Sequence, residues 1–183
     1  MQELLNGVDL EGTRRREDRR EVVAEMREEP VRVFISYAHK DERFRLALEP
    51  HLKLLQRQRL ITMWHDRLIK PGAEWKDVID ANLEHAKIIL LLVSADFIAS
   101  DYCWEIEMQR ALERHEKGEA RVTPVIIRDV KWDTVPFAKL QALPEQGKAV
   151  DSWQKKDQAW RSVADGIEKV AVDLRKAKKA RNG

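Results

Sequence analysis

A run of six consecutive apolar residues, Ile88 to Val93, constrains the fold of this chain more than any other stretch. The run does not alternate with polar residues, so it predicts a short strand that is buried on both faces of a sheet. A membrane-spanning helix needs about 20 apolar residues, so this run is too short to cross a bilayer. Ser94 ends the run and begins a polar loop.

A helix is predicted soon after this strand, up to about residue 117. Ser100 and Asp101 are both suitable N-cap residues, and Gly118 is a suitable C-cap. The helix carries two carboxylates, Glu105 and Glu107. Because α/β proteins place ligands where a buried parallel strand leads into a polar loop and a helix, we expect the functional site here.

The rest of the chain alternates short apolar runs with amphipathic stretches. Further strands are predicted at residues 31–36, 60–64 and 121–127, and residues 149–150 form at most a very short fifth strand. Helices are predicted at residues 41–59, 75–84 and 157–178. Pro50 is expected to kink or break the first helix, and Pro124 suggests an edge position for its strand.

This alternation predicts an α/β, flavodoxin-like three-layer fold with a five-stranded parallel sheet in the order 2-1-3-4-5. We assign residues 1–30 to a charged helical extension, residues 31–175 to the globular domain and residues 176–183 to a basic tail. In this strand order, the carboxyl ends of the first and third strands open a crevice. Three polar loops are predicted to meet there, at residues 36–41, 65–74 and 94–107.

The composition argues against several classes of protein. A net charge of +2 gives no basic field for binding nucleic acid. The single cysteine excludes an internal disulfide, and the five histidines show no metal-ligand spacing, so we expect no metal. The first residues lack the apolar core of a secretory signal and no long apolar segment follows, so we expect a cytoplasmic protein that does not bind membranes.

Familiar phosphate-binding motifs are missing from the sequence. It contains neither GxGxxG nor GxxxxGK[ST], which argues against a dehydrogenase and an NTPase. Ser36, Tyr37 and Ser94 stand where a response-regulator receiver would carry an acidic pair and a phospho-accepting aspartate. We therefore set the receiver hypothesis aside.

Three stretches together resemble motifs of the TIR (Toll/interleukin-1 receptor) domain family, and of its bacterial branch in particular. The first-strand box of the family is similar to VFISY at residues 33–37, with KD at residues 40–41. The long loop after the second strand is similar to WHDR at residues 64–67 and IKPG at residues 69–72. The third-strand box and its glutamate-bearing helix resemble residues 94–107. The resemblance covers residues 31–174.

The resemblance implies two functions. Some TIR domains are adaptors that act only by homotypic assembly with other TIR domains. Others hydrolyse NAD⁺, or cyclise its ADP-ribose, with one glutamate in the helix after the third strand. Bacterial members with this kind of sequence resemble the second group, which often serves as anti-phage effectors activated by self-assembly. The leading hypothesis is therefore an NAD⁺ nucleosidase with NAD⁺ as substrate rather than cofactor, and the alternative is a non-catalytic signalling module.

Two glutamates compete for the catalytic role that the resemblance implies. The family pattern places the glutamate four residues after an aromatic and before an apolar residue. Glu107 lies four residues after Cys103 and precedes Met108, whereas Glu105 lies three residues after Tyr102. The apolar stripe of the predicted helix also centres nearer to Glu107. We predict Glu107 as the catalytic carboxylate and keep Glu105 as the alternative.

One carboxylate suffices for this chemistry. Nicotinamide in NAD⁺ is already a cationic leaving group, and a carboxylate can stabilise the oxocarbenium-like transition state at the ribose. Other side chains of the crevice are predicted to bind the substrate: Ser36, Tyr37, Lys40, Trp64, Asp66, Arg67, Trp75, Ser94 and Cys103. For Trp64 and Trp75, packing in the core is an equally good interpretation.

Overall fold

The computed structural model describes residues 28–65 and 75–182. The strands are β1 (Val31–Ser36), β2 (Ile61–Trp64), β3 (Ile88–Val93) and β4 (Arg121–Ile126). The α-helices are α1 (Glu42–Arg57), α2 (Trp75–His85), α3 (Ala95–Ile98), α4 (Gln109–Glu116) and α5 (Lys156–Asn182). A π-helix, Tyr102–Met108, leads directly into α4. Short 3₁₀ turns lie at His39–Asp41, Glu145–Gly147 and Val150–Ser152.

The sheet of the described residues is parallel and has the order β2-β1-β3-β4. This confirms the predicted order of the first four strands, but the predicted fifth strand is wrong. Val150–Ser152 is a 3₁₀ turn, and only Asp151 N donates to this part of the sheet, at Ile127 O. The outer edge of β4 is instead occupied by Leu143, which leaves residues 149–150 no place to pair.

β3 is the centre of the fold. All six of its residues have a relative exposure of 0%, which confirms the prediction of a strand buried on both faces. Ile88, Leu90 and Leu92 pack in one core with side chains of α1 and α5. The alternate residues of β3 pack in a second core with α2, the π-helix and α4. The sheet is thus the middle layer of three.

β4 lies at one edge of the described sheet, as Pro124 suggested. Each of the three outward positions for a backbone N–H on this strand, at residues 122, 124 and 126, is satisfied or removed locally. Val122 N donates to His115 Nδ1 at 3.2 Å, and Pro124 has no N–H to satisfy. Ile126 N donates to Leu143 O, while Leu143 N donates to Pro124 O, both at 2.8 Å. The backbone of this edge is therefore closed by a side chain, a proline and one loop residue.

The segment after β3 differs from the single helix that was predicted. Ser94 Oγ accepts a hydrogen bond from Phe97 N at 3.0 Å and so caps the short helix α3. Ser100 Oγ accepts from Cys103 N at 3.3 Å at the start of the π-helix. Gly118, with φ of +69°, follows α4 and confirms the predicted helix end.

Helices α1 and α5 also depart from their predicted bounds. α1 runs without a break through Pro50, which is exposed, so the predicted break at this proline is wrong. α5 continues to Asn182, beyond the predicted end near residue 178. The predicted charged extension at residues 1–30 lies almost wholly outside the described residues.

Candidate active site

The alternation of β1 directs Ser36 toward the helix that follows β3. Phe34 and Ser36 are two residues apart and therefore point to the same face of the sheet. Phe34 packs in the core formed with α2, the π-helix and α4. On this face, Ser36 Oγ donates a hydrogen bond to Glu107 Oε2, although 71 residues separate the two in sequence.

Glu107 and Glu105 have different environments. Glu107 is 6% exposed and lies between the buried residues Cys103 and Met108 of the π-helix. Glu105 is exposed on the outer side of the same helix. A buried carboxylate needs hydrogen-bond donors to offset its desolvation, and Ser36 supplies one. Of the two candidate glutamates, the structure therefore brings only Glu107 to the carboxyl edge of the sheet.

Glu107 lines a cleft between the carboxyl end of β1 and the π-helix. The residues around the cleft come from β1, the loop after it, α2, the turn before the π-helix and the π-helix itself: Phe34, Ile35, Tyr37, His39, Ile79, Ser100, Tyr102, Cys103 and Glu107. Its volume is about 70 Å³. Pockets that enclose drug-sized ligands span about 300–1,000 Å³. The described walls therefore enclose only a small part of a dinucleotide.

Tyr37 and Tyr102 give this cleft two phenol side chains. Tyr37 is 7% exposed, and the Arg45 guanidinium lies over its ring at 5.7 Å from the centroid. Burial raises the pKa of the Tyr102 hydroxyl well above its usual value, and the negative charge of Glu107 raises that pKa further. Tyr102 is therefore a protonated phenol throughout the physiological range of pH.

Two predicted binding residues belong to a different cluster. The Lys40 side chain is 82% exposed, and its Nζ lies 3.1 Å from Asp96 Oδ1. Ser94 is fully buried, caps α3 and donates to Asp41 Oδ2. Neither residue lines the cleft, so the geometry does not place them against a ligand there.

The other predicted residues divide into three groups. Tyr37 and Cys103 line the cleft, and Cys103 Sγ donates to Tyr37 O at 3.5 Å. Trp64 stacks on Phe34 with a centroid distance of 5.3 Å, which favours core packing over ligand binding. Asp66, Arg67 and the side chain of Trp75 lie outside the described residues.

Four polar residues in or next to the cleft were not predicted as site residues. His39, Ser100 and Tyr102 line it, and the only signal for them was their position in the predicted polar loops. The Arg45 guanidinium packs over the ring of Tyr37. It forms salt bridges with Glu42, at 3.3 Å, and with Glu49. The carboxylates at i−3 and i+4 from Arg45 were the available signal.

No group of three or more His, Cys, Asp or Glu side chains in residues 28–65 and 75–182 has the arrangement of a metal site. Within the same ranges, none of the helices combines the length and apolar character needed to traverse a bilayer.

Comparisons with known proteins identify the family of this chain. The sequence matches the family model described as TIR domain over residues 33–169, about three quarters of the chain. The chain belongs to the TIR domain family. The match begins in β1 and extends into α5, so it includes every strand and the whole cleft of this TIR domain.

One relative is a bacterial protein, and a solved structure has the same fold. Protein y4lF of Sinorhizobium fredii is 50% identical over 139 residues, which are 76% of this chain and 43% of that protein. This TIR domain thus spans less than half the length of its curated relative. The TIR domain of the Toll-related receptor TRR-2 from Hydra magnipapillata has a TM-score of 0.51 at 21% identity, covering 74% of this chain and 96% of that chain.

A second solved structure is more distant. The TIR domains of the activated Roq1 resistosome, which recognises the pathogen effector XopQ, have a TM-score of 0.47 at 23% identity. That match covers 77% of this chain and 83% of the other.

Proposed function

We propose that this TIR domain cleaves NAD⁺ at the bond between nicotinamide and ribose, with Glu107 as the catalytic carboxylate. The observation that carries the proposal is the placement of Glu107. The residue is 6% exposed and lines the cleft at the carboxyl end of β1, and its carboxylate accepts a hydrogen bond from Ser36. An acidic side chain held in this way is costly for stability, so its placement favours a role in chemistry.

The proposed reaction uses the charge of the leaving group. When the bond from ribose C1 to nicotinamide breaks, its electron pair neutralises the pyridinium, so no general acid is required. Positive charge then develops on the ribose, and the nearby carboxylate of Glu107 stabilises it. Water adds to C1 and loses a proton, giving ADP-ribose, while attack by the adenine of the same molecule gives the cyclic product.

The surrounding side chains have supporting roles in this proposal. Ser36 fixes the orientation of the Glu107 carboxylate, and the backbone carbonyl of Tyr37, which accepts from Cys103 Sγ, fixes the opposite wall of the cleft. Tyr102, which stays protonated beside Glu107, offers a hydroxyl hydrogen to a ribose oxygen.

The size of the cleft supports activation by self-assembly. The described walls enclose about 70 Å³, so most of an NAD⁺ molecule must lie against other parts of the protein or a second copy. We propose that association with other TIR domains completes the site, and that the protein acts as a cytoplasmic effector of anti-phage defence. The alternative is a signalling module that assembles without catalysis.

The test is NAD⁺ consumption by the purified chain at high concentration with a crowding agent. Glu107→Gln should lower nicotinamide release by at least about 100-fold, because it removes the charge that stabilises the transition state. Glu105→Gln makes the same chemical change on the exposed side of the same helix and should retain activity. Loss only in Glu105→Gln would refute the assignment to Glu107. Self-association without NAD⁺ cleavage in any sample would favour the signalling module.

A further inference from the structure

Three loops at the carboxyl edge of the sheet meet at one buried carboxylate, Asp41. Its side chain is 2% exposed. Ser94 Oγ donates to Asp41 Oδ2, and Arg128 Nη2 lies 3.0 Å from Asp41 Oδ1. Because these three residues follow β1, β3 and β4 respectively, Asp41 ties together the loops after all three strands.

Asp96 extends this cluster toward the surface. Arg128 Nη2 also donates to Asp96 Oδ2, and Lys40 pairs with the other oxygen of the same carboxylate. Two carboxylates and two cations are thus brought together, and the charges balance. Arg128, and to a lesser degree Lys40, hold the pKa of the Asp96 carboxyl below its usual value. Charge-assisted hydrogen bonds of this kind are stronger than neutral ones.

The loops joined at Asp41 carry the two walls of the cleft. Tyr37 and His39 belong to the loop after β1, whereas Cys103 and Glu107 belong to the π-helix that follows Ser94 and α3. Inside the cleft these walls meet through the bond from Ser36 to Glu107 and the bond from Cys103 Sγ to Tyr37 O. Asp41 and Arg128 do not line the cleft. They nevertheless connect the chain segments that carry its two walls.

We propose that Asp41 and Arg128 are positioning residues, which hold the loop after β1 against the segment that leads from Ser94 into the π-helix and so keep Tyr37 and Glu107 in place on the two walls of the cleft. The kinetic consequence rests on the proposed NAD⁺ cleavage, whereas the positioning can be measured without any substrate. Lys40 and Ser94 belong to the same cluster, so their part is to support Asp41 and Asp96 rather than to bind phosphate.

Cys103 reports directly on this positioning. It is the single cysteine of the chain, is 5% exposed, and donates to the Tyr37 carbonyl oxygen across the two walls. Separation of the walls would expose its thiol to iodoacetamide. In the full chain, Arg128→Ala should raise the alkylation rate of Cys103 by about tenfold, since it removes hydrogen bonds between charged groups. Arg128→Lys, which keeps the charge and one carboxylate partner, should give an intermediate rate.

Arg110→Ala is the matched control. Arg110 also bonds two carboxylates, those of Glu84 and Glu113, and its side chain is 36% exposed against 28% for Arg128. This variant should leave the alkylation rate of Cys103 unchanged. If Arg128→Ala and Arg110→Ala alter the rate equally, or if Arg128→Lys equals the wild type while Arg128→Ala does not fold, the positioning role is refuted.

Kinetic measurements with NAD⁺ test the positioning role of Arg128 separately from the proposed NAD⁺ cleavage. With NAD⁺, Arg128→Lys should lower kcat by about tenfold and leave KM within about twofold, because misplacement of the catalytic group affects the transition state most. A lower melting temperature with unchanged kcat and unchanged Cys103 reactivity would overturn the inference. Absence of NAD⁺ cleavage in the wild type would refute the proposed function, and the Cys103 rates would still decide the positioning role.

Discussion

Ser36 at the end of β1 donates its hydroxyl hydrogen to the carboxylate of Glu107 in the π-helix. The serine is 1% exposed and the glutamate 6%, so the bond is shielded from solvent. It joins the first strand of the sheet to the helix after the third and sets the direction of the carboxylate. A change at Ser36 should therefore alter the orientation of the Glu107 carboxylate.

Ser36→Ala should weaken both activity and stability. The substitution removes a donor to a buried charged acceptor, which costs about 1.5–3 kcal/mol of unfolding free energy. With the carboxylate less well oriented, kcat for NAD⁺ should fall by about tenfold. Urea denaturation and nicotinamide release measure the two effects. Ser152→Ala, at an exposed serine, should change neither, and equal behaviour of the two variants would contradict this role for Ser36.

Tyr102 should ionise only at a more alkaline pH than an ordinary tyrosine does. Burial, together with the charge of Glu107, raises its pKa above the ordinary value of 10.0, so Tyr102 should remain a phenol at a pH at which a tyrosine of the unfolded chain ionises. The unfolded chain then loses its proton first, and stability should fall as the pH rises above about 10. Absorbance at 295 nm measures ionisation, and thermal unfolding measures stability. In Tyr102→Phe the alkaline loss of stability should be smaller; a loss equal to that of wild type would contradict it.

His115 should make the protein sensitive to mild acid. Burial lowers the pKa of its imidazole, and the charges of Arg121 and Lys139 lower that pKa further, while Nδ1 accepts a hydrogen bond from Val122 N. Below about pH 6.5 the unfolded chain takes up the proton first, so the stabilising contribution is present above that pH and lost as the pH falls through the folded pKa.

The measurement is the melting temperature between about pH 7.5 and pH 5. The acid-induced decrease should be smaller in His115→Gln than in the wild type. His85→Gln, at an exposed histidine, should follow the wild-type curve. Identical slopes in all three proteins would show that His115 does not contribute.

Two glycines with left-handed backbone provide a matched test of crowding. Gly147 has φ of +68°, and a Cβ there would lie 2.7 Å from Trp132 Cζ2. Gly118 has φ of +69°, and no described atom lies within 4 Å of the position that a Cβ would take there. Gly118→Ala should cost about 1–2 kcal/mol from backbone strain alone. Gly147→Ala should cost at least about 1 kcal/mol more, since overpacking adds to the strain. Chemical denaturation gives both values, and equal costs would contradict the crowding at Trp132.

The sequence predicted those parts of the fold that depend on local pattern. The unbroken run from Ile88 to Val93 predicted the central strand, because only a strand covered on both faces has no polar alternation. The position of Glu107 relative to the apolar stripe also predicted which glutamate turns inward. Both features follow from the order of residues along a single element.

Features that depend on distant partners were missed. Leu143 takes the edge position beside β4, so residues 149–150 do not form the expected strand. The π-helix at Tyr102–Met108 has no sequence pattern that separates it from an α-helix. Lys40 and Ser94 were correctly placed in the loops of the crevice, but the partners Asp96 and Asp41 draw them away from the cleft.

The closed edge of β4 has a consequence for concentrated solutions. An exposed strand edge can pair with a strand of another chain, and repeated pairing of this kind leads to aggregation. Here the N–H of Val122 donates to His115, Pro124 has no N–H, and the N–H of Ile126 donates to Leu143. A strand from another chain therefore meets no continuous row of free backbone N–H groups on this side. Copies of this protein that gather at high local concentration are thereby protected at β4 from amyloid-like aggregation, and ordered association there must use side-chain surfaces.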